Sequence, residues 1–313
     1  MNSGLTKKEK PLIFIAAQLQ FVKTSDELFS GTTPPEEGKK LFNEIFAKNE
    51  YFSIKPKRQK GRQIELFIDP FVDNKNLFLG AKIAKSKKII VPDIQDKHIV
   101  EKTISSLPFV IMLWDNDSQI LLIQQKTTVF ADVTLPIQII LLHLNSIIIN
   151  KGIVAKLYLI KEKGTFWKSI EQFEFIYSLK IDLTAPNIFG STFKKAEEFT
   201  KALQQETNGT EFGITINNDA GKVKLDSKDE LIQSISNIID SGGGNLRISG
   251  IKKGNKKKRK ERLNLKKWYK NIPVDNKYND IDYLNSKNIS NITSAIKDKY
   301  IENKPKDEDK NNS

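Results

Sequence analysis

The chain has 313 residues, a formal net charge of +13, two histidines and no cysteine. Without cysteine it has no disulfides, no thiol nucleophile, no cysteine-ligated zinc and no iron–sulfur cluster. Eleven of the nineteen residues from Lys252 to Lys270 are Lys or Arg against a single acid, so the positive excess is gathered in one place and the 251 residues before it are close to neutral.

In chain order, Leu12 to Val22 is apolar and strand-like. Pro34-Pro35 opens a helix with Leu41, Phe42, Ile45 and Phe46 on one face. Gln63 to Val72 and Leu77 to Ala84 read as strands around the turn residues Asp73 to Asn76. Ile94 to Ser106 is assigned as a helix and Phe109 to Trp114 as a strand. Asp115 to Ser118 turns the chain into Ile120 to Gln125, a hairpin. Leu135 to Asn150 reads as an amphipathic helix and Val154 to Ile160 as a strand. The apolar stretch from Leu135 to Ile149 is interrupted by Gln138, His143, Asn145 and Ser146. It falls short of the roughly 20 residues a bilayer span needs.

The second half repeats the order. Phe173 to Leu183 is a strand, and Phe193 to Gln205 a helix with Ser191 or Thr192 as cap. Glu211 to Ile216 and Lys222 to Leu225 are strands around the turn Asn217 to Gly221. Lys228 to Ile239 is a helix capped by Asp226 or Ser227. Gly242-Gly243-Gly244 stops it, and Leu246 to Ile251 is a strand. The expected fold is therefore α+β: two ferredoxin-like βαββαβ units, over 12–115 and 173–251, with a basic, partly disordered C-terminal extension. The corresponding domains are 1–160, an N-terminal α+β domain; 161–251, a C-terminal ferredoxin-like domain; and 252–313, a basic and polar tail. No signal peptide is legible at the N-terminus, and a cytoplasmic protein is expected.

The strongest chemical signal is the cationic run. Lys252, Lys253, Lys256, Lys257, Lys258, Arg259, Lys260, Arg262, Lys266 and Lys267, with Trp268 and Tyr269, form a candidate nucleic-acid site. Lys and Arg neutralise phosphates and release counterions, and an aromatic beside them can stack on a base. The competing interpretation makes Leu265, Trp268 and Tyr269 the anchor of a short helix, with solvated lysines around it. On Phe173, Phe175 and Tyr177, alternation puts three aromatics on one strand face, and the simplest placement is the core beneath the helices. Thr184 to Gly190 reads as a tight connection.

Other signals are weaker. Gly242 to Gly244 follows a helix and lacks the Gly-Lys-Ser/Thr ending of a phosphate loop. Asp115 or Asp117 followed by Gln124-Gln125-Lys126 resembles the acid-then-Gln-x-Lys arrangement of some restriction-like nucleases, where carboxylates hold Mg²⁺ and the Lys aids the attacking water. His98 and His143 have no metal-ligand spacing. The sequence points to a non-enzymatic nucleic-acid-associated protein, DNA or RNA, with no catalytic residue, metal or cofactor expected. The alternatives are a protein-interaction component of a bacterial mobile-element or antiviral defence system, and a metal-dependent nuclease through Asp115, Asp117 and Lys126.

Overall fold

A computed structural model describes residues 12–23, 34–54, 63–74, 78–95, 98–184, 211–240, 242–265 and 268–274. The chain is mixed α+β and mostly strand. It falls into two compact units, one built from residues 12–15, 21–156 and 271–274, the other from 16–20 and 157–270.

The elements in chain order are β1 (Leu12–Lys23), α1 (Pro34–Phe46), β2 (Glu50–Ile54), β3 (Ile64–Asn74), β4 (Phe78–Lys85), β5 (Lys87–Gln95), β6 (His98–Ser106), β7 (Phe109–Asp115), β8 (Ile120–Gln124), α2 (Leu135–Ile148), β9 (Ile153–Leu159), α3 (Thr165–Ile170), β10 (Phe173–Thr184), β11 (Glu211–Asn217), α4 (Glu230–Asp240), β12 (Gly244–Lys252), β13 (Glu261–Asn264) and β14 (Asn271–Val274). One sheet runs β14-β1-β8-β7-β4-β3-β2, with β9 also paired to β1. Its central strands β7 and β8 are near-continuous apolar runs. Val110 to Trp114 and Ile120 to Ile123 are buried on both faces, which explains why they lack polar alternation. Helix α1 lays Leu41, Phe42, Ile45 and Phe46 inward, and the Phe42 ring lies 4.3 Å from that of Trp114. Gly38 permits this packing, since a Cβ there would come within 2.1 Å of the Phe21 ring.

The second unit holds a four-stranded antiparallel sheet, β11-β10-β12-β13, with α3 and α4. Its core joins Phe166, Phe173, Leu179, Ile181, Ile238 and Leu246 with Leu263 and Leu265. Helix α4 starts one residue after Asp229, whose carboxylate accepts the Ile232 N–H at 3.0 Å, so the cap sits later than Asp226 or Ser227. It ends in a paired 6→1 and 5→2 turn, Gly243 N–H to Ile238 carbonyl and Gly242 N–H to Ile239 carbonyl, with Gly242 at φ 93°.

Five expectations are corrected. The helix over Ile94 to Ser106 is instead the end of β5 and all of β6, which pair from Lys87↔Ser106 to Gln95↔His98 as a separate two-stranded sheet. The β-branched residues Ile94, Ile99, Val100, Thr103 and Ile104 lose rotamer freedom in a helix and fit a pleated strand. The order over 12–115 is therefore not βαββαβ. Nor does the second unit follow that plan. A split βαβ unit sets its first two strands parallel with another between them, whereas β10 and β11 are antiparallel neighbours. Lys222 to Leu225 contributes one isolated bridge, Lys222 to Ile176, rather than a strand. Finally, the basic run is no free extension from 252 to 274: β13 continues the second sheet and β14 pairs with β1. The helix assigned to Phe193–Gln205, its caps, the connection 185–190 and the tail from 275 onward lie outside the described residues.

Candidate nucleic-acid interface

The cationic run begins at the end of β12, turns, and returns as β13. The register is Gly250↔Glu261, Ser249↔Arg262, Ile248↔Leu263 and Arg247↔Asn264. Leu263 and Leu265 alternate inward to the core, and this anchors the returning strand despite its charged neighbours. The connecting loop is organised by Asn255. Its Oδ1 accepts the Lys257 N–H at 3.1 Å, and its Nδ2 donates to the Arg259 carbonyl at 3.2 Å and to Glu261 Oε1 at 2.9 Å. Its backbone closes two further bonds, Asn255 N–H to the Lys252 carbonyl and Lys258 N–H to the Asn255 carbonyl. Lys253 N–H bonds the Gln172 carbonyl at 2.9 Å, tying the loop to the start of β10. Lys258 sits at φ 46°, a left-handed conformation that costs a non-glycine residue about 1 kcal/mol. The lysines thus project from a fixed backbone.

Among the described residues two of the run's cations meet carboxylates. Lys252 Nζ lies 3.4 Å from Glu261, and Lys270 Nζ 3.6 Å from Glu162. Lys253, Lys256, Lys257, Lys258, Arg259, Lys260 and Arg262 are exposed and form no ion pair among the described residues. Lys260 Nζ instead lies 4.9 Å over the Tyr177 ring. Lys266 and Lys267 are outside the described residues. Trp268 is exposed and Tyr269 half-buried, both beyond the far end of β13 from the loop. The structure therefore does not gather all twelve proposed site residues: it groups those from 252 to 262 and sets Trp268 and Tyr269 apart.

Of the three β10 aromatics expected in the core, Phe173 is there and Phe175 and Tyr177 are not. Register shifts between Phe173 and Phe175 and between Ile176 and Ser178 rephase the strand. Phe173 and Ile176 enter the core with Leu179, while half-buried Phe175 and Tyr177 lie outside it. Further along, Lys180 stands opposite Arg247. Lys180 Nζ lies 3.8 Å from Asp182, and Arg247 donates to the same carboxylate.

Elsewhere in this unit Lys161 is fully buried, and its ammonium donates to the carbonyls of Ile239 at 2.9 Å, Gly244 at 3.3 Å and Leu159 at 3.4 Å. Burial pulls its pKa down to about 8, against the pull of Asp240. The Asp240 carboxylate accepts the N–H of Gly164 at 2.7 Å and of Phe166 at 3.0 Å at the start of α3. Burial pushes it up to about 6, opposed by those N–H bonds and by Lys161. Because each charge is consumed by backbone caps, the pair holds α3 and α4 in place.

The acid and lysine of the nuclease-like arrangement are not brought together. Asp115 Oδ1 accepts the N–H groups of Asp117 and Ser118 at the hairpin turn. Gln124 Oε1 accepts the Ile111 N–H, and Lys126 Nζ lies 5.2 Å over Phe109. Phe109 and Asp115 are opposite ends of β7, about 20 Å apart at strand rise. His143 stacks on Phe52 with ring centroids 3.9 Å apart and faces Glu50 at 3.7 Å. Burial lowers its pKa, and Glu50 works against that. His98 is exposed on β6. Among the described residues no group of three or more His, Asp or Glu is placed to hold a metal ion, and no helix is long and apolar enough to cross a membrane. No protein-family model matches the chain, and no curated protein matches it.

Proposed function

We propose that the protein is a non-enzymatic nucleic-acid-binding protein that uses the β12–β13 loop of its second unit to grip phosphates. One observation carries this reading: a run of exposed cations that have no carboxylate partner among the described residues stands on a loop backbone fixed by Asn255. A floppy basic tail and an ordered cationic loop have the same charge, but the ordered loop loses less freedom on binding. Contacts of this kind position a protein on the backbone without reading sequence. Weak sequence preference and steep salt dependence are expected.

The test is fluorescence anisotropy with labelled duplex DNA and RNA across about 0.05 to 0.2 M salt, comparing the full chain with the variant Lys256→Ala, Lys257→Ala, Lys258→Ala, Arg259→Ala. The variant should bind on the order of a hundredfold more weakly, and its log–log salt slope should shrink by about 3 to 4. Equal affinity and slope for the two proteins would remove the reading.

A second reading, a protein-interaction component, is favoured by the β5–β6 hairpin. Ile90 is 63% and Ile99 80% exposed there, on a two-stranded sheet that has little stability of its own.

A further inference from the structure

We infer that Tyr177 is a stacking platform for an unpaired base, so that the site takes single-stranded nucleic acid in preference to duplex; this rests on the phosphate-binding reading above.

Tyr177 is where it is because β10 breaks its register twice. A regular strand would have kept Phe173, Phe175 and Tyr177 together on one face. The two shifts send Phe173 and Ile176 inward and leave Phe175 and Tyr177 outside the core. Bulges re-aim side chains in this way beside binding sites. Two stretches far apart in sequence reach the ring, one with a cation and one with its backbone. Lys260 reaches over the ring from the β12–β13 loop. On the other stretch, Ile176 N–H bonds the Gly221 carbonyl, Asn218 N–H bonds the Tyr177 carbonyl, and Val223 N–H bonds the Ile176 carbonyl. Gly221 comes so close that a Cβ there would meet the Tyr177 ring at 3.0 Å and Phe175 Cβ at 3.1 Å. With its φ of 71°, this position needs glycine twice over. Exposed Lys222 follows directly and bridges Ile176, the residue before Tyr177, and exposed Lys224 stands two positions further on.

Magnitudes decide what sits on the ring. An exposed Lys over an aromatic face is held by about 0.5–1 kcal/mol. A stacked base contributes about 1–3 kcal/mol. The base therefore displaces Lys260, whose ammonium is released to a phosphate of the same strand. A duplex keeps its bases stacked on each other and gains only the phosphate contacts.

The experiment measures affinity of the full chain, Tyr177→Leu and Tyr177→Phe for a single-stranded oligonucleotide and for its duplex. Thermal melts confirm that each variant folds. A second arm irradiates a 5-bromouracil oligonucleotide bound to the unaltered protein and maps the adduct. Expected results are a single-strand affinity about tenfold lower for Tyr177→Leu, an unchanged duplex affinity, full retention by Tyr177→Phe, and an adduct at Tyr177. If Tyr177→Leu weakens both ligands equally, the ring only steadies Lys260 and the inference is wrong. An adduct confined to other peptides overturns it as well. Loss of all binding in the four-cation loop variant alongside an indifferent Tyr177→Leu would sink this inference alone. Indifference of the loop variant would sink the phosphate reading beneath it.

Discussion

Lys161 and the lysines of the β12–β13 loop carry the same charge in opposite surroundings. Lys161 is buried among three backbone carbonyls, with Asp240 as the nearby countercharge. Lys256, Lys257, Lys258 and Arg259 face water without an ion pair among the described residues. The first is spent on architecture, closing the end of α4. The others are left available, and their field extends over roughly a Debye length, about 8–10 Å at moderate salt. Residue type does not divide the buried, structural lysine from the exposed ones in this chain; what each ammonium touches does.

That division breaks most visibly at Asp240. In Asp240→Ala the N–H groups of Gly164 and Phe166 lose their acceptor, and Lys161 loses its countercharge. Removing one partner from a buried charged pair costs about 3–5 kcal/mol, which urea denaturation will read as a lower midpoint. Nucleic-acid affinity should stay within twofold wherever the variant remains folded. A folded variant with weakened binding would mean that the two regions are coupled.

The pH dependence sharpens the same contrast with a smaller effect. The Asp240 carboxyl titrates at about 6 in the folded protein and at 3.8 in the free side chain. Between those values the folded state binds the extra proton, so this group's contribution to stability falls as pH rises from about 4 to 6. Lys161 titrates at about 8 when folded and at 10.5 when free. In that window the unfolded state binds the extra proton, and the contribution rises with pH. The pair's contribution is thus lowest between about pH 6 and 8, by on the order of 2 kcal/mol relative to either side. Unfolding free energies from pH 4 to 10, compared between the unaltered chain and Lys161→Met, will show the trough and its loss above pH 8. A trough kept intact above pH 8 in Lys161→Met would assign it to other groups.

How much of this was legible depended on whether apolar spacing or register carried the signal. The Pro34-Pro35 helix start, the buried runs of β7 and β8 and helix α2 follow from spacing and composition, and each is found within a few residues of its expected bounds. The β5–β6 hairpin is not legible from spacing because Ile94, Ile99 and Ile104 recur every five residues, a period of neither helix nor strand, and only their β-branching marks a strand. The returning strand β13 was hidden by charge, although Leu263 and Leu265 hold the period of two that marks a half-buried strand. At the candidate site, the cations from Lys252 to Arg262 stand out in sequence, but their display does not. Asn255 looks like any loop asparagine, and Tyr177 leaves the core only because of two register shifts. One-residue slips of this kind reverse the face of every side chain that follows, and no composition records them. Arg247 and Asp182 are likewise partners only once β10 and β12 are aligned.

The smallest predicted effect asks whether loop order matters apart from loop charge. Asn255→Ala deletes three side-chain hydrogen bonds and no cation. In a solvent-exposed loop their loss loosens the local backbone by about 1–2 kcal/mol and leaves the core strands nearly untouched. Lys258 then has little reason to hold its left-handed conformation. The number of phosphates neutralised stays the same, so the salt slope should match that of the unaltered chain. Affinity should nevertheless fall about three- to tenfold at every salt concentration, because ordering the loop is now charged to the binding step. A parallel downward shift of the salt plot is the signature of lost preorganisation, whereas a shallower plot would mean that Asn255→Ala had withdrawn cations from the contact. No shift at all would leave the ordered loop equivalent to a disordered basic tail, and the distinction between the two lysine environments would then concern burial alone.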